Sequence, residues 1–201
     1  TYFTWRNTRA ELADYLDELN HSASREYFRP NLWPNTPDIL PEILQLGGRP
    51  AFVMRLVLAA TMGANYGLYG PAYELLENAA LRIGGEDYLD SEKFQLRHRD
   101  LTAPWSLEGL ITRVNAIRRA HPCLQRDWNI RFHDVDNDQI LCYSKSDRHS
   151  GDVLLMVVNL DPHHTQGGWL DLPLSVLGLG DQTHCQVHEL LSDQRFLWNG
   201  S

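Results

Sequence analysis

The 201-residue sequence predicts an α/β part followed by an all-β part. Extended aromatic runs alternate with helical repeats as far as His121-Pro122, and beyond that point the chain breaks into short β-forming runs separated by Asp, Asn, Gly and Pro. The 43% hydrophobic content is enough for a sizeable core at this length. Strand and helix in alternation imply parallel pairing through helical crossovers, as in an α/β barrel or a doubly wound sheet.

The first unit opens with Tyr2 to Trp5, read as a strand. Thr8-Arg9-Ala10-Glu11 then has the form of a capping box, and Leu12, Tyr15, Leu16 and Leu19 recur at helical spacing behind it. In the second unit, the aromatic run Tyr27 to Trp33 reads as a strand leading into a turn stiffened by Pro30, Pro34 and Pro37, whose fixed φ angles deliver one acid, Asp38. Asp38 is either an active-site carboxylate at a strand end or the cap of a helix beginning at Ile39-Leu40. Gly47-Gly48 ends that helical segment, and an apolar helix runs from near Pro50 to about Met62. It is interrupted by Arg55 and stops at Gly63, too short to span a bilayer, so a buried core helix fits it.

Asn65 to Tyr69, bounded by Gly63 and by Gly70-Pro71, reads as a third strand, after which Glu74 to Asp100 is a long polar excursion. Leu107, Leu110, Ile111, Val114 and Ile117 mark the face of a last helix, with Arg118 and Arg119 favourably placed at its C-terminal end. Then come the runs Ile130 to Val135, Gln139 to Ser144, Val153 to Leu160, Gly168 to Leu172, His184 to Leu190 and Arg195 to Trp198. Asp136-Asn137-Asp138 marks a hairpin between the first two. The expected division is residues 1–122 and 123–201, with the boundary near Pro122 to Arg126.

A net charge of −8 without a Lys/Arg stripe argues against nucleic acid as a partner. Three widely spaced cysteines, Cys123, Cys142 and Cys185, suit a reducing, cytoplasmic setting better than a disulfide framework. Their spacing gives no support to a zinc site or a thiol nucleophile. His184 and His188 lie in a predicted strand, where four residues separate two imidazoles too far to share a metal. No phosphate-cradling glycine loop is present, so neither metal nor cofactor is expected. If the three strands are parallel, their carboxyl ends gather Asn35 and Asp38, the residues after Tyr69 and the loop Glu86 to Lys93 at one mouth. The excursion is rich in acids and aromatics, as befits either a binder of hydroxyl-rich ligands or a solvated surface loop.

Four ordered motifs carry a resemblance: Thr1 to Asn7, Arg29-Pro30-Asn31 with Asn35-Thr36-Pro37-Asp38-Ile39-Leu40, Tyr88 to Lys93, and His133 to Asp138. Together they resemble the C-terminal part of the α-amylase-superfamily maltosyltransferases that use α-maltose 1-phosphate. The resemblance implies a chain beginning near the sixth strand of a (β/α)₈ TIM barrel. About strands 6–8 would be followed by an antiparallel β-sandwich, truncated at its end. The implied chemistry is retaining transfer of maltosyl from α-maltose 1-phosphate to the non-reducing end of an α-1,4-glucan, with release of phosphate.

On this resemblance Asp38 matches the third carboxylate of the site, a transition-state stabiliser, while the nucleophile and acid/base precede Thr1 and the fragment alone is inactive. Lys93 and Phe94 match a Lys-Tyr pair that binds the donor sugar, Phe94 lacking the phenolic group, and Asn35 joins them as a substrate-binding candidate. Pro37 stands where many amylase relatives have histidine. A homodimer is implied, with no membrane partner. The alternatives are an amylase-type hydrolase or transglycosidase, or a non-catalytic glucan-binding module.

Overall fold

The computed structural model describes residues 2–173, 175, 178 and 184–199. Thr1 and Ser201, the two ends of the resemblance, lie outside the described residues. Helices and small sheets are mixed: α1 (Arg9–His21), β1 (Asn31–Leu32), α2 (Glu42–Leu46), α3 (Gly48–Met62), β2 (Asn65–Tyr66), α4 (Gly70–Glu74) and α5 (Glu108–Ala120) precede β3 (Ile130–His133), β4 (Ile140–Asp147), β5 (Asp152–Asn159), β6 (His184–His188) and β7 (Arg195–Asn199).

Tyr2–Trp5 forms a 3₁₀ turn, not the expected strand. Arg55 lies against it: its guanidinium donates to Phe3 O within the turn and to Arg6 O just after it, at 2.6 Å each, and stacks on the Phe3 ring. The next helix starts as read: Glu11 N bonds Thr8 Oγ1 at 3.3 Å, Thr8 N bonds Glu11 Oε2 at 3.0 Å, and the capping box is complete. Of the run Tyr27 to Trp33 only Asn31 and Leu32 are extended, and Tyr27 lies in an exposed turn. β1 pairs with β2 in parallel, Asn31 opposite Asn65 and Leu32 opposite Tyr66, with α2 and α3 forming the crossover between them. This is the parallel arrangement the alternation implies. β2 extends only to Tyr66, short of Tyr69; Gly67 N still donates to Leu32 O at 3.0 Å, and a Cβ at Gly67 would lie 2.4 Å from the Trp33 ring.

Gly47-Gly48 separates α2 from α3 as expected, Gly48 taking a left-handed φ of 56°. Helix α3 is buried on nearly every side because it lies between two apolar clusters. One joins Phe3, Leu12, Leu16, Leu32, Leu58 and Met62 to Leu141, Tyr143 and Met156 of the antiparallel sheet, so the two halves of the chain share a core. The other gathers Leu40, Leu44, Phe52, Leu56, Tyr73, Tyr88 and Leu107. Each fully buried leucine contributes on the order of 2 kcal/mol.

Strands β3, β4 and β5 form an antiparallel sheet in that order, with the expected hairpin turning at Asn137, whose side chain accepts from Gln139 N at 2.8 Å. Of the expected run Gly168 to Leu172, only Leu170 pairs, as a single bridge to Val135. β6 and β7 form a separate antiparallel hairpin. Cys123 and Cys142 are buried free thiols; burial pushes Cys123 up and Cys142 to about 11. Among the described residues no helix is long and apolar enough to cross a membrane.

Lys145 on β4 is fully buried, its ammonium donating to Arg126 O, and desolvation pulls it down from 10.5 to about 8. Below about pH 8 the folded and unfolded chains hold the same proton, so the burial penalty is present in full. Between about 8 and 10.5 only the unfolded chain keeps it, and the penalty fades as the pH rises. Lys145→Met is therefore expected to stabilise the protein by on the order of 2 kcal/mol near neutral pH. The gain should shrink towards about pH 10, as read by thermal unfolding of variant and parent at both pH values.

Candidate active site

The turn Thr36–Ile39 presents Asp38. Thr36 and Ile39 exchange both backbone hydrogen bonds, at 3.1 and 3.2 Å, which closes a four-residue turn with Pro37 and Asp38 at its tip. Thr36 Oγ1 accepts from Asp38 N at 3.2 Å. The capping alternative is excluded, since α2 starts at Glu42 with Pro41 as its N-cap. The side chain of Asp38 is 63% exposed and points at Lys93, with 2.6 Å between Oδ1 and Nζ.

Lys93 also lies 3.9 Å from Asp87 Oδ1, and its ammonium is 5.5 Å from the centre of the Phe94 ring. The hydrogen bond to Asp38 holds its pKa above the usual lysine value, so it remains an ammonium. Phe94 is 80% exposed and offers an open apolar face beside this charge. Asn35 is wholly buried, and its amide is occupied: Nδ2 donates to Tyr88 Oη at 2.8 Å and Tyr69 O at 3.3 Å, and Oδ1 accepts from Tyr69 N at 3.0 Å. It therefore fastens the wall behind Asp38 and presents no free group to solvent.

The segments expected to share a mouth do meet. Asn35 reaches Tyr69 and Tyr88, Leu40 N donates to Glu86 O at 2.7 Å, and Trp5 Nε1 donates to Glu86 Oε1 at 2.7 Å. Sequence reading missed the part played by the excursion's cations. Arg99 forks onto Glu77 and reaches Glu92, whose second oxygen accepts the Tyr69 hydroxyl. That hydrogen bond holds the Glu92 carboxyl below its usual value, and the Tyr69 phenol is raised, by burial first and then by Glu92. Arg97 and Arg99 in a stretch otherwise rich in acids were the available signal. A mainly apolar cavity of about 640 Å³ lies elsewhere, between α5, β5 and the β6–β7 hairpin.

A polar mouth of this kind, with a carboxylate and an ammonium in contact beside an open aromatic ring, is suited to grasping hydroxyl groups. Residues 132–201 match the family model described as "GLGE, C-terminal". Over its whole length the chain is similar to alpha-1,4-glucan:maltose-1-phosphate maltosyltransferases. It is 50% identical over 202 residues to maltosyltransferase 2 of Streptomyces coelicolor, covering 98% of this chain and 30% of that protein. To the Chlorobaculum tepidum protein it is 47% identical over 206 residues, covering 100% of this chain and 31% of the relative. The Rhodospirillum rubrum protein is 50% identical over 201 residues, with coverage of 100% and 29%. The resemblance read from the four motifs is borne out, and the chain spans about 30% of the length of these relatives.

Proposed function

We propose that the chain supplies the last strands, about 6–8, of a (β/α)₈ barrel and the following β-sandwich of an enzyme that transfers maltosyl from α-maltose 1-phosphate to an α-1,4-glucan. The observation that carries this reading is Asp38, held out on a proline-stiffened turn and paired with Lys93, in a chain about half identical to named maltosyltransferases. Adjacent hydroxyls of a sugar ring can donate to Asp38 and accept from Lys93, so a bound ring takes over the contacts that each now makes with the other.

In the proposed retaining reaction, an aspartate outside the described chain attacks the anomeric carbon and phosphate leaves with the bonding electrons, giving a β-maltosyl-enzyme. The 4-hydroxyl of the glucan's non-reducing end then displaces the aspartate, its proton passing to a glutamate base. Asp38 is the stabiliser of the positive charge that develops on the ring. Lys93 and Phe94 are the donor contacts, and Asn35 fixes the wall. No cofactor or metal is required. A cytoplasmic setting is supported by the cysteine content and a homodimer by the resemblance alone.

In the full-length protein, α-maltose 1-phosphate and glycogen together are expected to release inorganic phosphate in step with glucan lengthening by maltosyl units, while the 201-residue chain alone releases none. Phosphate release without lengthening, or glucan shortening without the donor, would show a hydrolase instead.

A further inference from the structure

We propose that Arg99 is a positioning residue: with Glu77 and Glu92 it forms a clamp that fixes Lys93 for the donor sugar. The inference rests on the reading of Lys93 as a donor contact.

The clamp starts from rigid backbone. Leu76 follows α4 with a left-handed φ of 59°, and Glu77 N bonds Ala72 O at 2.9 Å, so Glu77 is set by the helix end. Its carboxylate takes Arg99 as a fork, Oε1 to Nε at 2.7 Å and Oε2 to Nη2 at 3.1 Å. The remaining arm of Arg99, Nη1, lies 2.7 Å from Glu92 Oε1, and the arginine side chain is only 6% exposed. Arg97 shares the anchor, 3.4 Å from Glu77 Oε1, and donates to Asp90 O at 2.9 Å where the loop takes a left-handed φ of 56°.

The segment between the Tyr88 bridge and α5 has no helix or strand to stiffen it. Side-chain bonds must do so. Arg99 holds Glu92, the residue directly before Lys93, while Lys93 N bonds Ser91 Oγ at 3.3 Å. Exposed ion pairs contribute little, but a buried guanidinium with both faces of its fork engaged fixes direction as well as distance. A lysine at position 99 would keep the charge and lose the fork.

The experiment uses the full-length protein with Arg99→Lys, Lys93→Ala and the double variant, assayed with α-maltose 1-phosphate and glycogen. Arg99→Lys is expected to lower kcat/KM for the donor about tenfold, chiefly through donor KM, with glucan KM unchanged. In the Lys93→Ala background it should change less than about twofold, because its effect passes through Lys93. Hydrogen exchange over residues 86–94 should quicken in Arg99→Lys.

Independent, multiplying losses in the double variant, or equal damage to donor and glucan KM, would overturn the clamp. So would unchanged exchange alongside a damaging Lys93→Ala. A silent Lys93→Ala would instead sink the reading of Lys93, and the inference with it. Should Arg99→Lys fail to fold, Glu92→Gln loosens the same loop from its exposed side and carries the same expectations.

Discussion

Asp38→Asn in the full-length protein is expected to lower turnover by about a hundredfold or more, with far less change in donor KM. The amide preserves the size of the side chain and removes its charge. A ring hydroxyl in the ground state is only modestly sensitive to that difference, whereas an oxocarbenium-like transition state feels the full loss of a facing anion. A hundredfold is about 2.7 kcal/mol. That exceeds what an exposed ion pair such as Asp38–Lys93 contributes to stability, so the loss belongs to the reaction. Pro41, not Asp38, precedes α2 as its cap, and the substitution should leave the melting temperature nearly unchanged. Steady-state phosphate release and a thermal melt of the same preparations give the test. Near-normal turnover would reduce Asp38 to a surface ion pair.

What could be read in the sequence was local. The Thr8 capping box, the break at Gly47-Gly48, the turn at Asn137 and the burial of α3 follow from rules that act within a few residues, and the structure contains each of them. The proline-stiffened turn that presents Asp38 belongs to the same group. Failures arose where a distant side chain decides. Tyr2–Trp5 has the composition of a strand, yet it forms a 3₁₀ turn against Arg55 from α3, whose guanidinium donates to Phe3 O and to Arg6 O just beyond. Asn35 carries the polar amide of a ligand contact, but its partners, Tyr69 and Tyr88, are brought in by the chain's return and consume its hydrogen-bonding capacity. Arg99 was legible only as a cation in an acid-rich stretch, for the same reason: nothing in an Arg-x-Arg pair says which carboxylates will surround it.

Arg118 offers the largest stability test of this kind. Its position in the last turn of α5 suggested a cation favoured by the helix dipole. The structure instead buries it, turning it across to α3. Its guanidinium donates to Ala60 O, lies 3.4 Å from Gly63 O, and donates to Ala64 O at 2.6 Å, while stacking 5.1 Å above the Tyr66 ring. These carbonyls end α3 and lead into β2, where intrahelical donors run out. Burial lowers the Arg118 pKa, yet an arginine keeps its charge at neutral pH, so its hydrogen bonds to these carbonyls are charge-assisted.

Arg118→Met retains much of the apolar stem and strips the donors, leaving buried carbonyls unpaired. The expected cost is about 3 kcal/mol for local opening of residues 60–66, or roughly a hundredfold faster hydrogen exchange there in the full-length protein. Since β2 is the partner of β1, and β1 leads into the turn that presents Asp38, the loosening should pass to that turn and lower activity as well. Unchanged exchange over 60–66 would mean that water replaces the guanidinium at little cost, and that α3 ends where it does without help from α5.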